Sequence, residues 1–428
     1  MSEPAASQRT ISPRGAALVG LASALSAVSG YLILVIAART LEPARNADFL
    51  VYWSLLFGMF GIIGGLQQET TRSVRAAGLS AEPPRRPVHV LPVSLLVGVG
   101  AAAVVGATSL VWSTPALGSR SWSLIVTLCL AVPAYAGASA VVGALSGQRS
   151  WPAYSALISS EALVRLILVA LVAFAGAPGR GLEMASSAAA AVWIVFILAF
   201  PAGRRAARAL GDSDRSQFLS RSGHAMVAAA SSTVLLVGFP ILLRLTSSDV
   251  ERAVAAPLVL AITLTRAPLL MPLNAYQGVA IAHFLKERNR GIAALLRPAA
   301  IVLGVGTLGA TAAYFVGPLI MSAFFGPGYR VSGRLLAGLT LAAVCLALLT
   351  LTGSAVLAAE RHKAYALGWF LASTASVALV MTDLPLATRS VLSLCVGPLL
   401  GIGIHLAAVR HVPARRPPTT QVKAREVV

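Results

Sequence analysis

One arginine stands alone in a long apolar run. Arg266 lies in Leu264-Thr-Arg-Ala-Pro-Leu-Leu-Met-Pro272, and no acidic residue falls between Glu251 and Glu287. Counted from Val254, it sits about 18 Å along a helix, near the middle of a bilayer. Placing an arginine there costs roughly 2.5–3.5 kcal/mol on insertion scales. A guanidinium stays charged and offers a planar fork to phosphate or carboxylate, so the chemistry it suits is holding an anion. The plainer reading is an arginine paired with a carboxylate, or with backbone carbonyls, on another helix. Pro268 and Pro272 predict a kink, which is tolerated where a helix lines a cavity or packs on protein.

Glu161 and Arg165 form an i,i+4 pair with the acid first, on one helical face. They can neutralise each other inside a bundle, or open to admit an anionic headgroup or a proton. Glu161 reads as the sole carboxylate deep in any span. With Arg165 and Arg266 it leaves the membrane interior at one net positive charge, which favours an anionic passenger. Gln67-Gln-Glu-Thr-Thr-Arg72 closes another apolar run with Gln68, Glu69 and then Arg72. This is either a solvated helix end or a vestibule that meets phosphate. Asn274 and Gln277 suit sugar hydroxyls or interhelical hydrogen bonds. Arg39 and Arg244 stand at helix ends; they read as anchors, with Arg39 also on the candidate pathway.

Other motifs carry no chemistry here. Gly304-Val-Gly-Thr-Leu-Gly309 matches GxGxxG but lies inside an apolar run with no strand before it. There is no Gly-Lys-Ser/Thr. Cys129, Cys345 and Cys395 sit in apolar runs without zinc spacing, so no disulfide, metal or cofactor is expected. The six histidines fall near one membrane surface and read as interfacial. Gly61–Gly65, Gly143–Gly147 and Gly397–Gly401 have the GxxxG spacing of close helix packing.

The elements that hold these residues must be membrane helices. Of 428 residues, 57% are apolar and 11% charged, far too few charges to cover a soluble protein of this length. The fold class expected is an all-α polytopic membrane protein with about twelve transmembrane helices. They are read at 15–38, 48–68, 88–112, 122–145, 153–175, 184–201, 222–243, 254–280, 293–317, 334–358, 365–382 and 387–408. The formal charge of +19 would suggest nucleic acid in a soluble chain. Here it follows topology: with both termini cytoplasmic, inside loops hold more than twice as many basic residues as outside loops. The expected organisation is an N-terminal lobe at 1–203, a cytoplasmic linker at 204–221, a C-terminal lobe at 222–410 and a tail at 411–428.

The halves repeat. Leu145-Ser-Gly-Gln-Arg149 resembles Leu357-Ala-Ala-Glu-Arg361, Gly98-Val-Gly100 recurs as Gly304-Val-Gly306, and Arg39-Thr-Leu41 is echoed at Arg244-Leu-Thr246. The offsets are near half the chain. They suggest two six-helix lobes related by a pseudo-two-fold axis along the membrane normal, with a site between them near the midplane.

Four segments resemble the polysaccharide-biosynthesis flippases of the multidrug/oligosaccharidyl-lipid/polysaccharide (MOP, MATE-like) exporter superfamily. They are Ile36-Ala-Ala-Arg-Thr-Leu41, Gly65-Leu-Gln-Gln-Glu-Thr-Thr-Arg72, Phe324-Phe-Gly-Pro-Gly-Tyr329 and Ala358-Ala-Glu-Arg-His-Lys-Ala-Tyr365. The resemblance implies a V-shaped central cavity between two lobes and a polyprenyl-diphosphate-linked glycan as passenger. Related lipid II flippases use cavity arginines, one on the eighth helix, and Arg266 is in a comparable place. They carry two further C-terminal helices; an end after twelve spans argues against lipid II itself. The leading expectation is a plasma-membrane flippase for a lipid-linked oligosaccharide, acting as a monomer beside glycosyltransferases of its pathway, with no nucleic-acid partner. The alternatives are a MATE-type cation or drug antiporter, a membrane glycosyltransferase or polymerase, and a non-transporting scaffold. An antiporter needs cavity carboxylates. An enzyme needs a large outer loop bearing them, whereas the first outer loop is short and has only Glu42 and Asp48 at its margins.

Overall fold

The computed structural model describes residues 13–80, 86–118, 122–248, 251, 255–275, 284, 287 and 291–410. In lipid every backbone donor and acceptor must be satisfied internally, so apolar runs of this length become helices. In the first half these are α1 (Pro13–Thr40), α2 (Pro43–Ala77), α3 (Val90–Leu117), α4 (Trp122–Gly147), α5 (Trp151–Phe174), α6 (Pro178–Ala188), α7 (Val192–Ala199) and the short α8 (Pro201–Ala207). The second half holds α9 (Arg215–Leu236), α10 (Phe239–Thr246), α11 (Ala255–Ala275), α12 (Ala293–Phe315), α13 (Gly317–Phe325), α14 (Gly333–Ala358), α15 (His362–Val380) and α16 (Leu386–Arg410). Among the described residues there is no strand, only an isolated bridge between His89 and Leu210. Among the described residues ten helices are long and apolar enough to cross a membrane, and α9 with α10 makes one more, bent by 63°. The shorter apolar α11 stands in the eighth place. The chain is a multi-pass membrane protein.

Helix starts follow local chemistry. Proline opens α2, α6 and α8, where its missing N–H is no loss. Asp214 caps α9 by accepting from the Gln217 amide, and Ser332 caps α14 by accepting from Leu335. Two expectations are corrected. The span read at 222–243 is not continuous: it begins at Arg215 and breaks at Val237–Gly238. The stretch read as a linker therefore contains part of α8 and the first turns of α9. The sixth span starts earlier than 184 and changes to a tighter 3-10 turn at Ala189–Ala191.

The two-lobe repeat is written in the backbone. Arg149 and Glu360 both adopt positive φ, at 57° and 60°. Each ends its helix with the same bonds: Ser150 N to Leu145 O (2.8 Å) and Arg149 N to Ser146 O (3.0 Å), against Arg361 N to Val356 O (3.1 Å) and Glu360 N to Leu357 O (2.9 Å). The structural register lies one residue from the sequence pairing, so Arg149 corresponds to Glu360 rather than Arg361.

We call the end of the bundle where α1 begins the near side and the opposite end the far side. At the far side one apolar core is shared by both lobes, with Ile33, Phe49 and Leu182 packed among Phe239, Ile262, Met321 and Phe325. Elsewhere the cores are largely separate: one is built mostly from the first lobe around Phe60 and Val141 and takes in Phe218 of α9, and another lies within the second lobe around Leu295 and Val356. The lobes thus join at the far side, and toward the near side they meet along α2 and α9. There Gly65 lies so close that a Cβ would stand 2.5 Å from the Ala225 backbone. The GxxxG pairs of α4 and α16 are likewise packed on neighbours.

Candidate functional site

The break in the seventh span has a chemical cause. Pro240 has no N–H for the carbonyl of Leu236, and its ring excludes the preceding turn from continuing. Gly238 permits the bend; a Cβ there would stand 2.8 Å from the Val234 carbonyl oxygen. The carbonyls of Leu235 and Leu236 are left without their helical donors, deep in the bundle. Arg266 supplies them: its Nη1 donates to Leu235 O at 2.9 Å and to Leu236 O at 3.4 Å. Its guanidinium lies 5.7 Å from the centre of the Phe239 ring. Arg266 is only 8% exposed, and its Nη2 has no hydrogen-bond partner. Among the described residues no carboxylate pairs with it.

The first lobe contains a parallel arrangement with a different charge balance. Arg165 donates from Nε to Ser186 O at 3.0 Å, where α6 gives way to the 3-10 turn. Its guanidinium lies 5.0 Å from the Phe57 ring centre and 6.0 Å from that of Phe60. Unlike Arg266 it is neutralised, because Nη2 pairs with Glu161. Phe60 stacks on Tyr135 at 3.8 Å and closes this cluster. Each lobe thus uses an arginine to satisfy carbonyls freed at a helix irregularity, and only the second lobe's arginine lacks an acid.

Glu161 is not the only deep carboxylate. Glu183, on α6, is 3% exposed and its Oε2 has no partner. One turn on, Ser187 donates to the Glu183 carbonyl oxygen and bonds the Tyr52 hydroxyl at 2.7 Å. The span read from the sequence begins at 184, one residue after Glu183, whereas α6 begins at Pro178 and carries Glu183 into the bundle. The apolar run beyond Pro178 and Gly181 was the available signal. Adding Glu183 cancels the formal positive surplus counted from the sequence. What remains is a separation: two carboxylates in the first lobe, one acid-free guanidinium in the second.

The polar end of α2 is an ion-pair network. Arg72 bonds Glu69 through Nε and Nη2 at 2.7 and 2.6 Å. It also bonds Asp212 through Nη1 and Nη2 at 2.8 and 2.9 Å. Glu69 is buried, whereas Gln68 faces out and joins nothing in the network. The hydrogen bonds from Arg72 hold the Asp212 carboxyl below the usual carboxylate range. Arg72 is therefore engaged by two acids and Arg266 by none.

The remaining candidates separate. Arg39 bonds the carbonyls of Ala323 and, at 2.8 Å, Phe324, so it ties α1 to the end of α13 across the lobes. Arg244 pairs with Asp48 at 3.2 Å, again between lobes, rather than serving as a lone anchor. Asn46 adds a bond to the Tyr329 hydroxyl at 2.9 Å. These contacts fasten the far side and lie away from Arg266. The side chain of Asn274 and the whole of Gln277 lie outside the described residues. His405, read as interfacial, is buried, bonded to Thr352 at 3.1 Å and stacked on Tyr365. Among the described residues no cluster of histidine, cysteine or acidic groups could hold a metal ion.

No family model matches the chain. Two uncharacterized proteins of Mycobacterium tuberculosis (strain ATCC 25618 / H37Rv) are 40% identical to it. Rv3630 aligns over 405 residues, 94% of each chain, and Rv1510 over 401 residues, 94% of this chain and 92% of that one. Among solved structures, a MOP superfamily transporter from Pyrococcus furiosus superposes with a TM-score of 0.67 at 14% identity, over 93% of this chain and 95% of that one. For that protein, a binding pocket of reverse polarity suggests a different function. A multidrug resistance MATE family transporter in its inward-facing conformation gives 0.66 at 13% identity, over 94% and 99%. A eukaryotic MATE transporter gives 0.64 at 14% identity, over 93% and 94%. At these identities the likeness establishes the fold, the two-lobe architecture of MOP transporters.

Proposed function

The chain belongs to one family with the mycobacterial proteins Rv3630 and Rv1510 and has the MOP-transporter fold, and from that premise we propose that it carries an anionic, lipid-linked passenger across the membrane. The passenger class is a polyprenyl-diphosphate-linked oligosaccharide, moved from the inner to the outer leaflet of the plasma membrane for cell-envelope polysaccharide synthesis. The near side is cytoplasmic in this reading, and the lobes rock about the site between them.

The observation that carries the proposal is the state of Arg266. It is buried and only half used, with no acid beside it among the described residues, Nη1 on carbonyls and Nη2 unpartnered. A diphosphate cannot enter hydrocarbon bare, because its charge would lose its hydration. A guanidinium is a charge-assisted donor that replaces part of that hydration. The lipid tail stays in the bilayer while the head passes. An inside-negative potential favours outward movement of an anion by about 2.3 kcal/mol per charge per 100 mV. Glycosyltransferases of the same pathway would supply the passenger, and the chain itself does no bond chemistry.

Depletion of the protein tests this. Accumulation of a lipid-diphosphate glycan on the cytoplasmic leaflet is expected; normal leaflet distribution would overturn it. Glu183 favours a second reading, a MATE-type antiporter in which a buried carboxylate with one unpartnered oxygen takes up a proton or cation. That reading expects accumulation of a cationic compound in depleted cells and no leaflet imbalance of glycan.

A further inference from the structure

The loop between the lobes is fastened on both sides by one residue. Asp212 accepts two bonds from Arg72 on α2 and one from Ser73 Oγ at 2.8 Å; its amide donates back to Ser73 Oγ at 3.1 Å. Its Oδ2 also lies 3.7 Å from Nη1 of Arg221, on α9 of the second lobe. The segment around it is pinned to the first lobe by Val88 N to Ser213 O (3.0 Å), Gly211 N to Val88 O (2.9 Å) and Val90 N to Ala209 O (3.3 Å). Gly211 sits flush on α2, where a Cβ would run into the Ser73 hydroxyl. Asp212 thus stands at the near end of the α2–α9 seam, with Gly58, Gly61 and Gly65 against Thr233 and Ala225 deeper in.

We propose that Asp212 is an electrostatic latch that joins the two lobes at the near side and must release α9 for that side to open. The limb to the first lobe is bidentate and holds the loop in place. Both limbs are similarly exposed, but the limb to Arg221 is a single contact at 3.7 Å against two bonds of 2.8 and 2.9 Å from Arg72, so it is the one that parts. Exposed pairs of this kind are weak, which suits a contact broken in every cycle. The linker is then a moving part rather than a passive connection. Arg72 serves the gate, not the passenger. The inference rests on a transporter whose near side opens, not on what it carries.

The test is a distance measurement on the full chain in nanodiscs. Spin labels are placed at Arg75→Cys on α2 and Gln217→Cys on α9, with Cys129, Cys345 and Cys395 replaced by alanine. The parent should give one dominant short distance. Asp212→Asn, and Arg221→Gln alone, should raise the ratio of long to short distances about two- to five-fold. An unchanged distribution in Arg221→Gln overturns the latch, even if Asp212→Asn fails to fold. Opening in Asp212→Asn without opening in Arg221→Gln also overturns it, because the loop would then act within the first lobe only. The distances are read with no passenger present, so failure of glycan transport leaves this test intact.

Discussion

Arg266 donates across 2.9 Å to the carbonyl oxygen of Leu235, on the helix that breaks just beyond it. This bond links the one acid-free guanidinium among the deep charged residues described to the bent seventh span. An anion reaching Nη2 would pull on a residue that also holds the bend.

Arg266→Lys should keep one donor for the Leu235 carbonyl but lose the second amino group. Arg266→Ala should lose both, and with them hydrogen bonds to a charged group worth about 1.5–3 kcal/mol. In a complementation assay the alanine variant should fall roughly ten- to a hundred-fold in transport, with the lysine variant between. Equal surface abundance of both variants is the required control.

Glu161→Gln should leave Arg165 buried beside Phe57 and Phe60 without its acid. We expect about 3 kcal/mol of destabilisation, at the low end for a broken buried pair because Glu161 is partly exposed. A thermal melt in detergent measures it. The double variant Glu161→Gln/Arg165→Met should recover part of the loss, since it removes the unpaired charge but also the bond to the Ser186 carbonyl. If the double variant is as unstable as the single, the pair has a role beyond self-neutralisation.

Gly65→Val should force α2 and α9 apart, because the first added atom already meets the Ala225 backbone. Overpacking of this kind costs about 1–3 kcal/mol. Gly100→Val, where a Cβ meets nothing, is the comparison and should leave the melting temperature unchanged.

Asp212 gives a pH dependence with a defined sign. Its carboxyl is held below the usual range by hydrogen bonds from Arg72. A carboxyl depressed on folding contributes stability that is full above its unfolded value, about pH 3.9. That contribution is lost as pH falls through the depressed native value. The stability difference between the parent and Asp212→Asn should therefore be constant from pH 7 to about pH 5. It should shrink below about pH 4, read from melting temperatures across that range.

Much of the architecture was legible in the sequence. Twenty-residue apolar runs give helices because lipid leaves the backbone no other partner. The Leu145–Arg149 and Leu357–Arg361 turns announced the repeat. What was missed depends on neighbours that no local pattern reveals. The bend in the seventh span was readable from Gly238-Phe-Pro240, yet apolar continuity from 222 to 243 hid it. Arg72 reads as a phosphate donor until Asp212, far along the chain, arrives beside it. Glu183 was lost to a boundary set one residue late. His405 is buried because Gly368 and Gly353 leave room for its ring, a tertiary fact.

The most direct test of the central claim is flipping in proteoliposomes. The purified chain is reconstituted with a fluorescent polyprenyl-diphosphate oligosaccharide in one leaflet, and its appearance in the other is followed. The account predicts flipping above protein-free vesicles, reduced at least about ten-fold in Arg266→Ala and retained in Arg39→Gln. Flipping by Arg266→Ala at the parent rate would contradict it.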